Sequence, residues 1–139
     1  MKRLERKTNA GFTLIEIMLV IIIIVALMAV LIPNVRTAMN ESKVHTAEME
    51  VNIISGELAR YNSGNPPTTQ QGLRALVEKP TIEPIPRRWV QIREEIKPDP
   101  WNSEYLYEYP GKHNKLSFDV YSAGPDKVPG TDDDIGNWK

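Results

Sequence analysis

The chain has 139 residues, 41% of them hydrophobic, a formal net charge of −1 and no cysteine. That is one domain's worth of sequence, and its apolar residues are so unevenly spread that the globular core must be modest. The first eleven residues carry Lys2, Arg3, Arg6 and Lys7 against Glu5, which leaves the remainder mildly acidic and argues against nucleic acid as a partner, since phosphate binding needs a clustered basic face. Without disulfides a small exported domain needs another staple, and a bound metal is one physical option.

Residues Phe12 to Ile32 form an apolar run interrupted by one charge, Glu16. As a helix it would span about 31 Å at about 1.5 Å per residue, the thickness of a bilayer's hydrocarbon core. The basic residues precede it, so the positive-inside bias keeps residues 1–11 cytoplasmic and puts the carboxyl-terminal part outside. A cleaved secretory signal would have a shorter apolar region followed by a small-x-small site, whereas this run ends in Ile32-Pro33-Asn34 with no such site beyond it. Glu16, one turn inside the span, costs about 2–3 kcal/mol or more to insert. Either it has a partner in the apolar phase, or it lies near enough the helix end to reach the headgroups. Pro33 lacks an amide hydrogen and is expected to kink, end or locally melt the helix at the membrane boundary.

Gly11-Phe12-Thr13-Leu14-Ile15-Glu16, with a basic leader before it and the apolar run and Pro33 after it, resembles the processing site of type IV pilins and pseudopilins. The resemblance implies that a prepilin peptidase cuts between Gly11 and Phe12 on the cytoplasmic side and methylates the new amino group of Phe12. It also implies that Glu16 pairs with the charged amino terminus of a neighbouring subunit. A misplaced subunit would then leave two charges buried and alone, so such a pair sets register more than stability. Pro33 falls where the family's filament helix loses regularity.

Beyond Asn34 the chain keeps a helical period: Val44, Ala47, Val51, Ile54, Leu58 and Tyr61 recur at steps of three and four. Glu41, Lys43, Glu48, Glu50 and Glu57 occupy the other side, which predicts an amphipathic helix over 34–62 covering a small core. Asn62 to Pro67 stops it. Thr68 or Thr69 caps a second, short helix carrying Leu73, Ala75, Leu76 and Val77 and ended by Pro80. The stretch from Pro67 to Pro80 resembles the segment that major pseudopilins carry at this point. Residues 81–99, with Pro84, Pro86 and Pro98 among mixed charges, lack periodicity and read as an irregular loop, a connector or a subunit contact. Alternation through Tyr105, Tyr107 and Tyr109, and again through Leu116, Phe118 and Val120, predicts a hairpin about the turn at 110–114. Asp99-Pro100-Trp101 also matches the family's pattern. The fold expected is α+β, type IV pilin-like: a long amino-terminal helix, half transmembrane and half amphipathic, packed on a head at 63–139. His45 and His113 each lack a second histidine or cysteine nearby, and no nucleophile, acid–base pair or phosphate-cradling loop can be assembled, so no enzyme is expected.

The last segment, 122–138, gathers Asp126, Asp132, Asp133 and Asp134 across two Pro/Gly turns. Such a loop is either a solvated turn or the cage of a hard cation taking six to eight oxygens, for which calcium suits; the spacing is not that of an EF-hand. Ser122-Ala-Gly-Pro-Asp126, followed by Gly130-Thr-Asp-Asp-Asp-Ile-Gly-Asn-Trp138, resembles the calcium loop of major pseudopilins. The resemblance assigns Asp126, Asp133 and Asp134 as ligands, with Ser122 and Ala123 as the nearest backbone candidates. Asp132 is a bystander, and Lys127 stands where the family commonly has glycine.

Taken from Gly11 to Trp138, with 81–99 unmatched, the resemblance is to the major pseudopilin of type II secretion. It implies a single-pass inner-membrane subunit with a periplasmic head, polymerising into a homo-oligomeric helical filament. The partners implied are the minor pseudopilins, an inner-membrane platform with its ATPase, and the prepilin peptidase. A type IV pilin or minor pilin, serving adhesion, motility or DNA uptake, is the first alternative, although such pilins usually close the head with a disulfide. A membrane-tethered calcium module that never polymerises is the second, and it would keep residues 1–11.

Overall fold

The structure is a computed structural model describing residues 11–139, with the side chains of Asn62 and Ser63 excepted. The leader expected at 1–11 therefore lies, but for Gly11, outside the described residues. The chain divides into a unit ending at Met39 and a second unit, Asn40–Lys139. One helix, α1 (Leu14–Arg60), 47 residues long, contributes to both.

In the first unit every side chain of the apolar run is exposed, from Phe12 at 79% to Ile32 at 49%, and the helix is long and apolar enough to cross a membrane. Pro33 lies inside the helix, so of the kink, end or melt expected at that position the helix shows neither the end nor the melt in the single subunit. A proline removes one amide donor and costs about 3 kcal/mol, a local penalty that the cooperative turns on either side can carry. Side chains add bonds around it: Asn34 Nδ2 donates to the Val30 carbonyl (3.2 Å) and the Thr37 hydroxyl to the Pro33 carbonyl (3.2 Å).

In the second unit Ala47, Val51, Ile54 and Leu58 are the buried stripe of α1, as the period predicts. Val51, Ile54 and Leu58 pack with Tyr61, Leu73, Ala75, Leu76, Tyr105, Phe118 and Val120, and together these form the core. Truncating Leu58, which is fully buried, to alanine is expected to cost the head about 2–5 kcal/mol, read as a lower urea midpoint at unchanged slope.

The short helix expected after Pro67 is a single 3₁₀ turn, Leu73–Leu76. A reciprocal exchange precedes it: the Thr68 amide donates to Gln71 Oε1 (2.9 Å) and the Gln71 amide to the Thr68 hydroxyl (3.3 Å), the geometry of a capping box. That exchange closes the turn at 68–71; the N-cap of the 3₁₀ turn itself is Gly72, with no side-chain cap bond, so neither threonine caps it as expected, and Thr69 faces the hairpin, its hydroxyl donating to the Tyr109 carbonyl and accepting from the Tyr109 amide, both at 2.8 Å. Gly72, at φ 58°, turns the chain in the left-handed region that glycine enters freely.

Three strands, β1 (Leu106–Glu108), β2 (Asp119–Ser122) and β3 (Ile135–Gly136), make an antiparallel sheet in the order β1-β2-β3. Tyr107 faces Val120 across the first pair and Ser122 faces Ile135 across the second. The hairpin is shorter than alternation predicts, for β2 starts at Asp119 and Leu116 is fully exposed. The reason is Asp119 itself, a buried carboxylate whose two oxygens accept from the His113 amide (2.7 Å) and the Asn114 amide (2.9 Å). Those bonds turn 111–117 into a folded loop. The two-residue β3 carries no periodic signal. Gly136 belongs there because the Trp138 ring occupies the space of a β-carbon.

Loop 81–99 is irregular, as expected, yet it is tied down. Gln71 Nε2 donates to the carbonyls of Ile82 (2.6 Å) and Pro84 (3.0 Å), and Trp89 Nε1 to that of Ala75 (2.8 Å). Arg93 lies between two carboxylates of α1, with Nε 2.5 Å from Glu57 and its terminal nitrogen 2.6 Å from Glu50.

Candidate assembly and cation sites

At the amino end, Phe12 and Thr13 precede the first turn of α1. The Glu16 amide donates to the Thr13 carbonyl (3.1 Å) and hydroxyl (3.3 Å), so Thr13 caps the helix and Glu16 sits at the third helical position. Thr13-Leu-Ile-Glu16 has capping-box spacing, a signal visible in the sequence that the apolar context hides. The Glu16 carboxylate is exposed, and among the described residues it makes no ion pair or hydrogen bond. An acid so placed is open to a cation from outside the chain. Gly11 is exposed, and a β-carbon added there would meet nothing within 4 Å among the described residues.

The acidic loop begins where β2 ends. Ser122 is fully buried; its hydroxyl donates to Asp99 Oδ2 (2.5 Å) and accepts from the Gly124 amide (3.1 Å). Asp99 Oδ1 in turn accepts from the amides of Trp101 (3.0 Å) and Ser103 (2.8 Å). The Asp-Pro-Trp stretch thus anchors the loop's entrance, a role that spacing did not reveal because the two segments lie far apart in the chain.

Beyond it Gly124, at φ 66°, passes Asp133 so closely that a β-carbon would stand 2.5 Å from the Asp133 carbonyl oxygen and 2.9 Å from Oδ2. The Asp126 amide donates to Asp133 Oδ2 (3.3 Å), and the Thr131 hydroxyl donates to Asp133 Oδ1. The Thr131 hydroxyl, followed by the Asp126 amide, holds the Asp133 carboxyl below its ordinary value by bonding its charged form. Asp126 Oδ1 accepts from the Val128 amide (2.7 Å). Lys127 adopts φ 61°, the left-handed conformation that glycine would take at lower cost.

Asp134 is buried at 5% exposure. Its Oδ2 accepts from the Gly130 amide (2.7 Å), and its Oδ1 is buried with no partner. An orphaned carboxylate oxygen away from water costs about 1–3 kcal/mol or more, a penalty a cation would relieve. Asp126 and Asp133 are thus brought together, whereas among the described residues no three His, Cys, Asp or Glu side chains are gathered into a cage. Two carboxylates, an orphaned third and nearby backbone carbonyls nonetheless make an all-oxygen donor set, which fits a hard cation and offers none of the sulfur or imidazole that zinc prefers. Asp132 is exposed, and its side chain takes no part in this network.

A long helix, apolar for its first half and capped beside a single acid, running into a small α+β head, defines the type IV pilin-like class. A profile of the prokaryotic N-terminal methylation motif matches residues 6–32, and one of type II secretion system protein G matches residues 34–138. A type II secretion system core protein G from Dickeya chrysanthemi is 44% identical over 97% of this chain and 89% of its own length; the one from Pseudomonas aeruginosa is 41% identical over 97% and 99%. The crystal structure of the major pseudopilin from the type 2 secretion system of enterohaemorrhagic Escherichia coli superposes with a TM-score of 0.66 at 37% identity, covering 73% of this chain and 87% of that one. The chain belongs to the type II secretion system protein G family of major pseudopilins.

Proposed function

We propose that the chain is a structural subunit, not an enzyme, that polymerises through α1 into the periplasmic pseudopilus and so drives export of folded proteins across the outer membrane. The observation that carries this reading is the first half of α1: a run of exposed apolar side chains with one acid, Glu16, at its capped end that has no ion-pair partner among the described residues. Burying an exposed leucine or isoleucine is worth about 1.5–3 kcal/mol, so this surface must be covered, first by lipid and then by copies of itself. Before assembly the subunit spans the inner membrane once, its leader cytoplasmic and its head periplasmic. The prepilin peptidase cuts between Gly11 and Phe12 and methylates Phe12; an inner-membrane platform and its ATPase then add the subunit to the filament, where the minor pseudopilins also join.

The acidic loop of the head holds calcium. Asp126, Asp133 and Asp134 supply carboxylates, with Ser122 and Ala123 the nearest backbone donors. When bound, the ion neutralises these acids and orders a segment that has no disulfide to hold it.

The test is intact mass of the protein from its native host, together with filament yield of Glu16→Ala. A product beginning at methylated Phe12, and loss of most filaments in the variant, are the expected results. A chain that keeps residues 1–11, or a variant that assembles like the parent, contradicts the reading.

A further inference from the structure

A cavity of about 930 Å³ opens on the head beside the end of α1, lined by Arg60, Tyr61, Arg87, Arg88, Trp89 and Val90 among others. Its cations lie close together. Arg87 and Arg88 are exposed and have no carboxylate partner among the described residues, and the Arg60 guanidinium makes a single bond, to the Gly56 carbonyl (3.1 Å). Arg93, six residues along from Arg87, shows the contrast, being fully engaged with Glu50 and Glu57. Tyr61 is only 3% exposed, and its hydroxyl is buried without a hydrogen-bond partner among the described residues. Three exposed guanidinium groups around one cavity offer donors that an anionic acceptor can use. Val90, 72% exposed, and Trp89 need an apolar group beside it.

The head itself presents that combination elsewhere. In the acidic loop Asp132 is exposed, and its carboxylate is used neither by the loop's hydrogen bonds nor by the proposed calcium cage. Val128, four residues earlier, is 53% exposed. We infer that the arginine cavity receives the acidic loop of a second copy of the chain, with Arg87 and Arg88 on the neighbour's Asp132 and Val90 on the neighbour's Val128. The two surfaces are different patches of one head, so the contact is heterologous and does not close on itself, which is the kind that builds an open helical array. This inference rests on the filament reading above and specifies a contact between heads within it. Calcium leaves it in place, because Asp132 stands outside the cage.

The chain has no cysteine, which makes disulfide trapping clean. In full-length protein assembled into filaments, Arg88→Cys with Asp132→Cys on one chain is expected to give a ladder of multimers on mild oxidation. The two substitutions on separate co-expressed chains should give dimers, and either alone should give neither. As a check independent of trapping, Arg87→Glu with Arg88→Glu should lower filament yield at least tenfold, and adding Asp132→Arg should restore a substantial part of it. Filaments without a ladder overturn the contact and leave the filament reading standing. If the unaltered chain forms no filaments, both fail. If the glutamate variants assemble normally but stop export, the cavity belongs to an exported protein and the inference is wrong.

Discussion

Removing calcium from the unaltered chain is expected to lower the melting temperature of its head by roughly 10–20 °C, while Asp133→Ala with Asp134→Ala should melt at that lower temperature whether or not calcium is present. An ion at about a hundred times its dissociation constant adds about 2.7 kcal/mol to the folded state, and each kcal/mol moves a domain near this size by about 4–8 °C. The loop is arranged to give such a return. Gly124 lets the chain pass against Asp133, Asp126 and Asp133 share one side of the turn, and Asp134 holds a buried oxygen with nothing bound to it. Acid should act in the same direction. The Asp133 pKa is lowered on folding, chiefly by the Thr131 hydroxyl, so its contribution is present above the ordinary carboxylate range and is lost as pH falls through the lowered folded value. Melting curves with calcium and with chelator, repeated from neutral pH down to about pH 3, measure both effects. A parent whose melting ignores chelator would remove the ion from the account, and a double variant as stable as the parent in calcium, and as sensitive to chelator, would remove these two carboxylates from its ligands.

How much of this could be read before the fold was known depends on where each signal resides. The stripe Ala47, Val51, Ile54 and Leu58 is a local period, and the structure buries those residues. The sheet was half visible: Phe118 and Val120 alternate into the core, but Leu116, on the same alternation, stands in solvent because the buried Asp119 gathers the amides of 113 and 114 into a loop. No period announces a side chain that bonds backbone, nor a strand of two residues such as Ile135–Gly136. The helix runs on through Pro33 for another reason. Its cost is real but confined to one bond, and a helix of 47 residues absorbs it. In the acidic loop the carboxylates were legible from composition, whereas the bond from Ser122 to Asp99, 23 residues away in sequence, was not. Loop 81–99 gave least, because its ties are a tryptophan N–H, a glutamine amide, one arginine and two backbone amides, each specified by a partner distant in the chain.

That arginine carries the second large effect. Arg93→Ala is expected to cost the head about 3 kcal/mol, and Arg93→Met with Glu50→Gln and Glu57→Gln to return most of it. In the parent, Arg93 keeps 15% of its side chain exposed, against 28% for Glu50 and 17% for Glu57. Truncating it leaves two half-buried carboxylates facing each other, and breaking such a pair from one side costs about 3–5 kcal/mol. Water that still reaches both acids puts the expectation at the low end. The cost comes from charge left uncompensated more than from weakened packing, so neutralising all three groups should approach the parent to within about 1 kcal/mol. Tyr105 would not blur the reading, for burial, then Glu50 and Asp99, push its phenol up to about 12 and keep it neutral throughout. Urea unfolding of the parent, the single and the triple variant separates the cases. A triple variant as unstable as Arg93→Ala would mean that Arg93 acts through packing of its stem and not through its charge. If the charge account holds, Arg93 is also what fixes the stretch bearing Arg87 and Arg88, whose backbone is otherwise tied to the core through the Trp89 side chain and the amides of Ile92 and Arg93 on the Leu76 carbonyl. The single variant should then weaken the disulfide ladder between heads, and the triple variant should restore it.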